Sequence, residues 1–366
     1  MLTTTATNLP RLMNCNGSRN MPASFASVDS DTTDRDEGNA ADWLAEQVFA
    51  GADINALVNT KAFNGVIITA DMADHVASYL AALHPGGAMQ VETSYGTDAW
   101  RTNGRADHIA IVASPEDQRE GQYALVVDDL KYGWRIVDPF ENWTLISHAI
   151  GYCIFRQIQP HTVALRIHQP RPHHPDGKVR EWRLSYDELL TYYARIVETL
   201  TNPSNNLVTG LPWCAGCRAL ATCPAARMSR MNIIDAASRT FSDQITSDAL
   251  GYELDVIRTA RATLEAHEAA LQELTIHRIK KGEIFENYGL EKQYSHTRFK
   301  SGISAQALTA ATGIDCVKPG TITPAEFKRR GGSQADYDAL TERPMTGIKL
   351  IRASADQRAR RALGVK

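Results

Sequence analysis

The segment LVVDDLKYG, residues 125–133, ends an apolar run with an acid and a base two positions apart. In a β-strand such residues share a face, so Asp129 and Lys131 would lie side by side. The earlier segment GRADHIAI carries Asp107, which would lie on the neighbouring strand and approach Asp129. Two adjacent carboxylates repel unless a cation neutralises them, and Mg²⁺ or Mn²⁺ takes such oxygen ligands. The pattern therefore predicts a divalent-metal site.

At a site of this kind the ion polarises a scissile phosphate and generates hydroxide, while Lys131 positions or activates the attacking water. The plain alternative is that Asp128, Asp129 and Lys131 form an ordinary solvated strand end. The apolar run before them and the second acid one hairpin earlier favour the metal site.

A second candidate site is WCAGCRALATCP, residues 213–224, whose three cysteines have C-x2-C-x5-C spacing: Cys214, Cys217 and Cys223. Tetrahedral zinc sites and cubane iron–sulfur clusters normally use four protein ligands, so one ligand is missing here. The N-terminus lacks the apolar region of a signal peptide, and we expect a cytoplasmic protein. Six cysteines in such a chain of 366 residues indicate thiols or metal ligands rather than disulfides.

The elements that must position these residues have the periodicity of an α/β domain. Helical spacing, with Asp71 as cap of the second helix and a Ser185–Glu188 capping box in the last, predicts helices over 37–51, 69–87, 141–158 and 185–201. Short β-branched segments predict an antiparallel meander over 88–95, 105–114 and 122–133, and a further strand over 162–170. We therefore predict one mixed sheet flanked by helices.

We expect a domain over 1–230 and an extension over 231–366 that is mostly helical, with a long amphipathic helix over 251–280 and a strand pair beyond it. No run of about eighteen apolar residues exists, so we expect no membrane span.

A net charge of −3 and a pI near 6.4 give no global argument for nucleic-acid binding. Local basic residues could still contact a DNA backbone. The candidates come from one stretch, residues 155–180: Arg156, Arg166, Arg171, Lys178 and Arg180. An ordinary solvated loop is the alternative for this stretch.

An acid on one strand, D-x-K on the next and a helix after it resemble the PD-(D/E)XK nucleases of the RecB-like exonuclease group. The helix that begins EGNAADWLAE resembles the EGTAAH-type helix of that group, whose histidine is a metal ligand. Asp42 stands at the histidine position, and Glu37 matches the acid at the head of the helix. The resemblance implies that both residues join Asp107 and Asp129 around Mg²⁺ or Mn²⁺. One motif departs from the family: Thr144 and His148 replace Gln and Tyr of Q-L-x-x-Y-A.

The iron–sulfur members of this superfamily, such as AddB-type helicase–nucleases and CRISPR-associated RecB-like nucleases, hold a 4Fe–4S cluster. They use one cysteine before the nuclease core and three after it at C-x2-C-x5-C spacing. Cys15, in LMNCNGS, matches the first of these. The resemblance therefore implies a 4Fe–4S cluster on Cys15, Cys214, Cys217 and Cys223. Zinc at the same thiols stays the alternative, although zinc sites usually use two close pairs.

The resemblance is strongest to an uncharacterised phage group. It implies a metal-dependent DNA exonuclease that processes linear ends in recombination or repair, beside a phage single-strand annealing protein. Two other functions stay open. One is an inactive DNA-binding protein with a nuclease fold, and the other is a cysteine-ligated zinc protein with a structural or partner-binding role.

Overall fold

A computed structural model describes most of the chain, and the following statements concern those residues: 2–23, 33–113, 122–238, 246–294, 298–299, 304–318, 320–321, 323–342 and 345–352. Contacts divide the chain near residue 270 into two compact units.

The first unit is built on a six-stranded mixed sheet. Its strands are β1 (Leu2–Thr5), β2 (Ala88–Gly96), β3 (Trp100–Ala113), β4 (Tyr123–Leu130), β5 (Thr162–His168) and β6 (Val179–Ser185). The order is β1-β3-β4-β5-β6, and β2 also pairs with β3. The meander β2-β3-β4 is antiparallel, as expected from its alternating segments, whereas β1 is parallel to β3 and β5 is parallel to β4.

Helices cover both faces of this sheet. They are α1 (Leu9–Asn14), α2 (Thr33–Phe49), α3 (Ile54–Leu57), α4 (Ala70–Ala81), α5 (Trp143–Arg156) and α6 (Tyr186–Thr201). Val127 of β4 packs into a core with α5 and α6, while Leu130, of opposite parity, packs into a second core with α2 and α4. Alternation along one strand therefore sends side chains into two separate cores.

Of the two predicted helix caps, one is confirmed and one is wrong. Ser185 and Glu188 form the predicted capping box at the start of α6. The predicted cap Asp71 is wrong, because Thr69 Oγ1 accepts the hydrogen bond of the Met72 amide at 3.1 Å. Asp71 lies instead in the first turn of α4, where its charge favours the positive end of the helix dipole.

The C-terminal part begins with α7 (Pro224–Ala237) and α8 (Ser247–Lys280). Ala266 and Ala270 of α8 pack against the Cys214 segment, which is why contacts divide the chain near 270 rather than near the predicted 230.

The second unit contains the expected antiparallel pair, β7 (Tyr288–Tyr294) with β12 (Met345–Arg352). It also contains the short helices α9 (Ala305–Thr312), α10 (Pro324–Arg329) and α11 (Gln334–Leu340). Two short ladders complete it: β8 (Arg298–Phe299) with β11 (Thr341–Glu342), and β9 (Val317–Lys318) with β10 (Gly320–Thr321). Among the described helices, none is long and apolar enough to cross a membrane.

Candidate functional site

The ladder between β3 and β4 brings Asp107 beside Asp129. His108 pairs with Asp128 in register, so Asp107 and Asp129 follow at the next position of the antiparallel pair. The Leu130 amide donates a 2.8 Å hydrogen bond to Asp107 Oδ2, which ties that carboxylate to the end of β4. The two acids therefore lie at the same point of the sheet and on the same face.

Lys131 Nζ forms an ion pair with Asp129 Oδ2. Burial works to lower the pKa of Lys131, but the charges of Asp129 and Asp107 outweigh it and raise the pKa above its ordinary value. The Lys131 side chain is 38% exposed. Lys131 is thus a protonated hydrogen-bond donor in this arrangement.

Asp42 of α2 joins the same group. Burial raises its pKa to about 7; the charge of Lys131 lowers it, and the charges of Asp129 and Glu46 raise it. Burial, then Asp129 and Asp42, raise the pKa of Asp107 well above its ordinary value. The negative charge of Asp42, Asp107 and Asp129 is therefore only partly neutralised by nearby cationic side chains. A divalent cation, which binds oxygen ligands, would neutralise the rest.

The carboxylates are not arranged as a finished metal site. In the described ranges, no three His, Cys, Asp or Glu side chains are grouped to hold a metal ion. Asp129 turns to the Lys131 ammonium instead. The donor set fits Mg²⁺ or Mn²⁺ by its chemistry, and binding an ion requires a rearrangement of the Asp129–Lys131 pair.

Glu37 is placed differently from its expected position beside the metal. Its Oε2 pairs with Arg171 Nη1 at 2.7 Å, and the Arg171 guanidinium lies over the Tyr132 ring at 4.1 Å. The sequence could not reveal this pair because its members meet only when α2 packs near the segment that leaves β5.

Asp128 is the centre of a buried charge cluster that sequence reasoning did not find. His108 Nδ1 lies 2.9 Å from Asp128 Oδ2, while His168 Nε2 and Arg166 Nη1 lie 2.6 and 3.1 Å from Asp128 Oδ1. Burial alone would raise the pKa of Asp128, yet the bonds from His108 and His168 and the charge of Arg166 lower it to about 2. The cluster joins β3, β4 and β5 one residue away from Asp129. Two features of the sequence could have indicated this cluster: the Asp128–Asp129 doublet and the position of His108 directly after Asp107.

Of the five predicted DNA-contacting residues, Arg171 is held by Glu37, and the other four divide into a buried and an exposed pair. Arg166 is buried against Asp128 and donates to the Ala82 carbonyl at 3.1 Å, and Arg180 is buried and donates to the Val137 carbonyl at 2.6 Å. Neither guanidinium is placed to contact a phosphate, because strand alternation turns both inward. Arg156 and Lys178 are exposed.

His148, which stands at the tyrosine position of the resembled motif, lies buried beside the candidate site. Its Nδ1 is 2.9 Å from Thr93 Oγ1. Burial lowers the pKa of His148 to about 4; the nearby Asp129 raises it and Lys131 lowers it. The imidazole is therefore neutral near pH 7. Thr144 Oγ1 donates a long hydrogen bond, 3.4 Å, to the Ala6 carbonyl.

The structure brings Cys15 to the C-x2-C-x5-C segment. One small cavity is lined by all four thiols: Cys15, Cys214, Cys217 and Cys223. Burial raises the pKa of Cys214; a bond from the Gly210 amide lowers it, and the other three cysteines raise it. The amides of Val208 and Gly210 lie 3.4 Å from the sulfurs of Cys15 and Cys214, respectively. Clustered thiols with amide donors are suited to hold a metal as thiolates.

Hydrogen bonds from backbone and side chain hold the N-terminal segment at this cavity. The Gly17 amide donates to the Asn206 carbonyl at 2.9 Å, and Arg19 Nη2 donates to the Thr199 carbonyl at 2.6 Å. A Cβ on Gly17 would lie 2.6 Å from the Asn206 oxygen. Glycine is therefore required for this close approach.

Comparisons with known proteins complete the description. No protein with a curated description matches the sequence. The crystal structure of a protein from Eubacterium rectale, described as a "Putative exonuclease", is 12% identical, covers 66% of this chain and 90% of its own, and has a TM-score of 0.31. That score is too low to establish a shared fold. The sequence profile described as "Protein of unknown function (DUF2800)" matches residues 4–329, a range that includes both candidate sites. The chain belongs to the DUF2800 family.

Proposed function

We propose that this protein is a divalent-metal-dependent deoxyribonuclease of the PD-(D/E)XK class that acts at linear DNA ends in recombination or repair. The observation that carries the proposal is the meeting of Asp107, Asp129 and Lys131 at one point of the sheet, with Asp42 of α2 added to them. A group of buried and half-buried acids beside one lysine is an electrostatic environment that a divalent cation would stabilise.

Each residue has a defined task in the proposed site. Asp107, Asp129 and Asp42 would hold Mg²⁺ or Mn²⁺, which when bound supplies Lewis-acid polarisation of the phosphate. Lys131, kept protonated by its acidic neighbours, would donate hydrogen bonds that orient the attacking water or a phosphate oxygen. The exposed Arg156 and Lys178 would contact the DNA backbone. Glu37 would hold Arg171 in place and would not bind the metal.

Degradation of end-labelled linear DNA in Mn²⁺ tests this proposal. We expect Lys131→Ala and Asp129→Asn each to lose at least about 100-fold in rate, because removal of a positioned catalytic group typically costs this much. Lys61→Ala, at an exposed lysine outside the group, should retain the wild-type rate. Equal inactivity of wild type and variants on single- and double-stranded ends would favour a DNA-binding protein without catalysis.

For the thiols we propose a 4Fe–4S cluster on Cys15, Cys214, Cys217 and Cys223 that stabilises the fold. All four line one cavity, and two receive N–H···S bonds. Zinc at the same four thiols stays the alternative.

Anaerobic purification followed by metal analysis separates the two occupants. We expect a brown protein that contains iron and sulfide, and a colourless Cys15→Ala variant. Cys153→Ala, at a buried cysteine outside this cavity, should stay brown. A colourless wild type with one zinc per chain would establish the zinc alternative.

A further inference from the structure

The loop over 131–142, which leaves β4 directly after the candidate site, exposes a large aromatic side chain. Trp134 is 60% exposed, whereas Trp100 and Trp143 are 1% and 7% exposed. An exposed tryptophan costs hydrophobic free energy that burial would recover. The Trp134 ring is therefore available to a partner that would cover it.

Buried polar residues hold this loop in place. Gln169 is 1% exposed, and its Nε2 donates to the carbonyls of Gly133 and Arg135 at 3.0 and 2.7 Å. Its Oε1 accepts from the Val137 amide at 3.1 Å and from Arg180 at 2.7 Å. The backbone on both sides of Trp134 is thus anchored to the buried end of β5. These hydrogen bonds fix the loop in a conformation in which the Trp134 ring is exposed.

A fixed cation lies beside the ring. The Arg171 guanidinium lies 4.1 Å from the Tyr132 ring centre and 5.2 Å from that of Trp134. Its Nη1 pairs with Glu37 at 2.7 Å and donates a long hydrogen bond, 3.4 Å, to the Tyr132 carbonyl. Glu37 and Tyr132 therefore lock Arg171 in an aromatic–guanidinium arrangement next to the exposed surface of Trp134.

The position of this pair links it to the candidate catalytic residues. β4 and β5 are parallel, with Leu130 opposite His168 in register, so the segments that carry Lys131, Trp134 and Arg171 leave the same edge of the sheet. Three residues of chain span at most about 11 Å, so Trp134 lies within a few nucleotides of Lys131. Arg135, the next residue along the chain, is also exposed. The exposed ring and the exposed charge of Arg135 together suit an anionic chain that carries flat aromatic groups.

We propose that Trp134, backed by Arg171, is a stacking platform for an unpaired base of a single-stranded DNA end, and that the protein therefore prefers single-stranded over duplex ends. The inference rests on the proposed nuclease function and specifies its substrate class. An unpaired strand can offer a base face to Trp134 at any of its positions, whereas a duplex exposes a face only at its terminal base pairs. The platform would direct the strand toward Lys131 and the acids.

Binding to fluorescently labelled oligonucleotides, measured by anisotropy without metal, tests the platform separately from cleavage. The ligands are a single-stranded 20-mer and a blunt duplex of equal length. We expect Trp134→Ala to weaken single-strand binding by about 5- to 100-fold, the range for loss of one base–aromatic stack. Its duplex binding should change less than about twofold, and Trp134→Phe should recover most of the loss. Phe140→Ala, at a 61% exposed ring farther along the same loop, is the matched control and should resemble wild type.

Wild-type affinity of Trp134→Ala for the single strand would overturn the platform. So would equal losses on both ligands, an equal loss in Phe140→Ala, or a wild type that binds neither ligand; a protein partner would then be the better candidate for this surface. If the Trp134 dependence is present while Lys131→Ala and wild type are both inactive, the platform stands and the nuclease proposal fails. If cleavage depends on Lys131 but single-strand binding ignores Trp134, only the platform fails.

Discussion

Asp128 and Asp129 are consecutive residues of β4 whose carboxylates take opposite faces of the sheet and opposite kinds of partner. Asp128 is fully buried among His108, His168 and Arg166. Asp129 pairs with the partly exposed Lys131. The first carboxylate joins three strands, and the second belongs to the candidate catalytic group. Because they share a backbone, the buried cluster sets the position of Asp129.

Removal of the Asp128 charge should destabilise the protein strongly. We expect Asp128→Asn to lower the free energy of unfolding by about 3 kcal/mol, because it leaves a buried Arg166 without its counter-ion and two histidines without their carboxylate partner. Urea unfolding measures this change. Asp176→Asn, at a carboxylate that is 79% exposed, is the control and should stay within about 0.5 kcal/mol of wild type. A loss below about 1 kcal/mol in Asp128→Asn would contradict the assigned role.

Acid should remove the same stabilisation. The folded-state pKa of Asp128, about 2, lies below its ordinary value of 3.8, so its contribution is complete above 3.8 and is lost as pH falls toward 2. The difference corresponds to about 2 kcal/mol. Urea titrations between about pH 5 and pH 2 should show that wild type loses more stability than Asp128→Asn. Parallel pH profiles of the two proteins would be evidence against this linkage.

Stabilisation by a divalent cation should increase with pH. The folded-state pKa of Asp42, about 7, is raised, so in the absence of a cation its contribution is present at low pH and is lost as pH rises through 7. Saturating Mn²⁺ should raise Tm by about 5 °C at about pH 8 and by much less at about pH 5.5, where protons compete for the carboxylates. Thermal unfolding of wild type and Asp129→Asn measures this. An equal shift in the variant would exclude the carboxylate group as the binding site.

The contact at Gly17 should be essential for bringing Cys15 to the cavity. Gly17→Ala places a Cβ 2.6 Å from the Asn206 carbonyl, so the N-terminal segment must move away. We expect loss of metal from the cysteine site and a lower midpoint of thermal unfolding. Gly38→Ala is the control, because a Cβ there meets nothing within 4 Å and alanine favours its helix. Full metal content in Gly17→Ala would refute the requirement for glycine.

Local patterns in the sequence were sufficient for four strands and four helices of the first unit, but not for β1, β6, α1 or α3. The alternation of 88–95, 105–114 and 122–133 predicts β2, β3 and β4, and the Ser185–Glu188 signal predicts the start of α6. These features depend on neighbours a few residues away, which the sequence displays directly. The pairing of Asp129 with Lys131 belongs to the same class, since two-residue spacing follows from the strand itself.

Long-range pairing required the tertiary structure. Glu37 meets Arg171 rather than the other acids because α2 packs near the segment after β5. Arg166 and Arg180 resemble phosphate ligands on composition alone, but both side chains are buried. Asp128 neutralises Arg166, and Gln169 and a backbone carbonyl accept hydrogen bonds from Arg180. Partners of this kind are what make a buried cation stable. The sequence by itself determined which residues carry acid, base and thiol chemistry and which faces of the strands they occupy. Only the tertiary structure decided which of these groups neutralise one another and which remain open to a ligand, because that depends on charges brought together from distant parts of the chain.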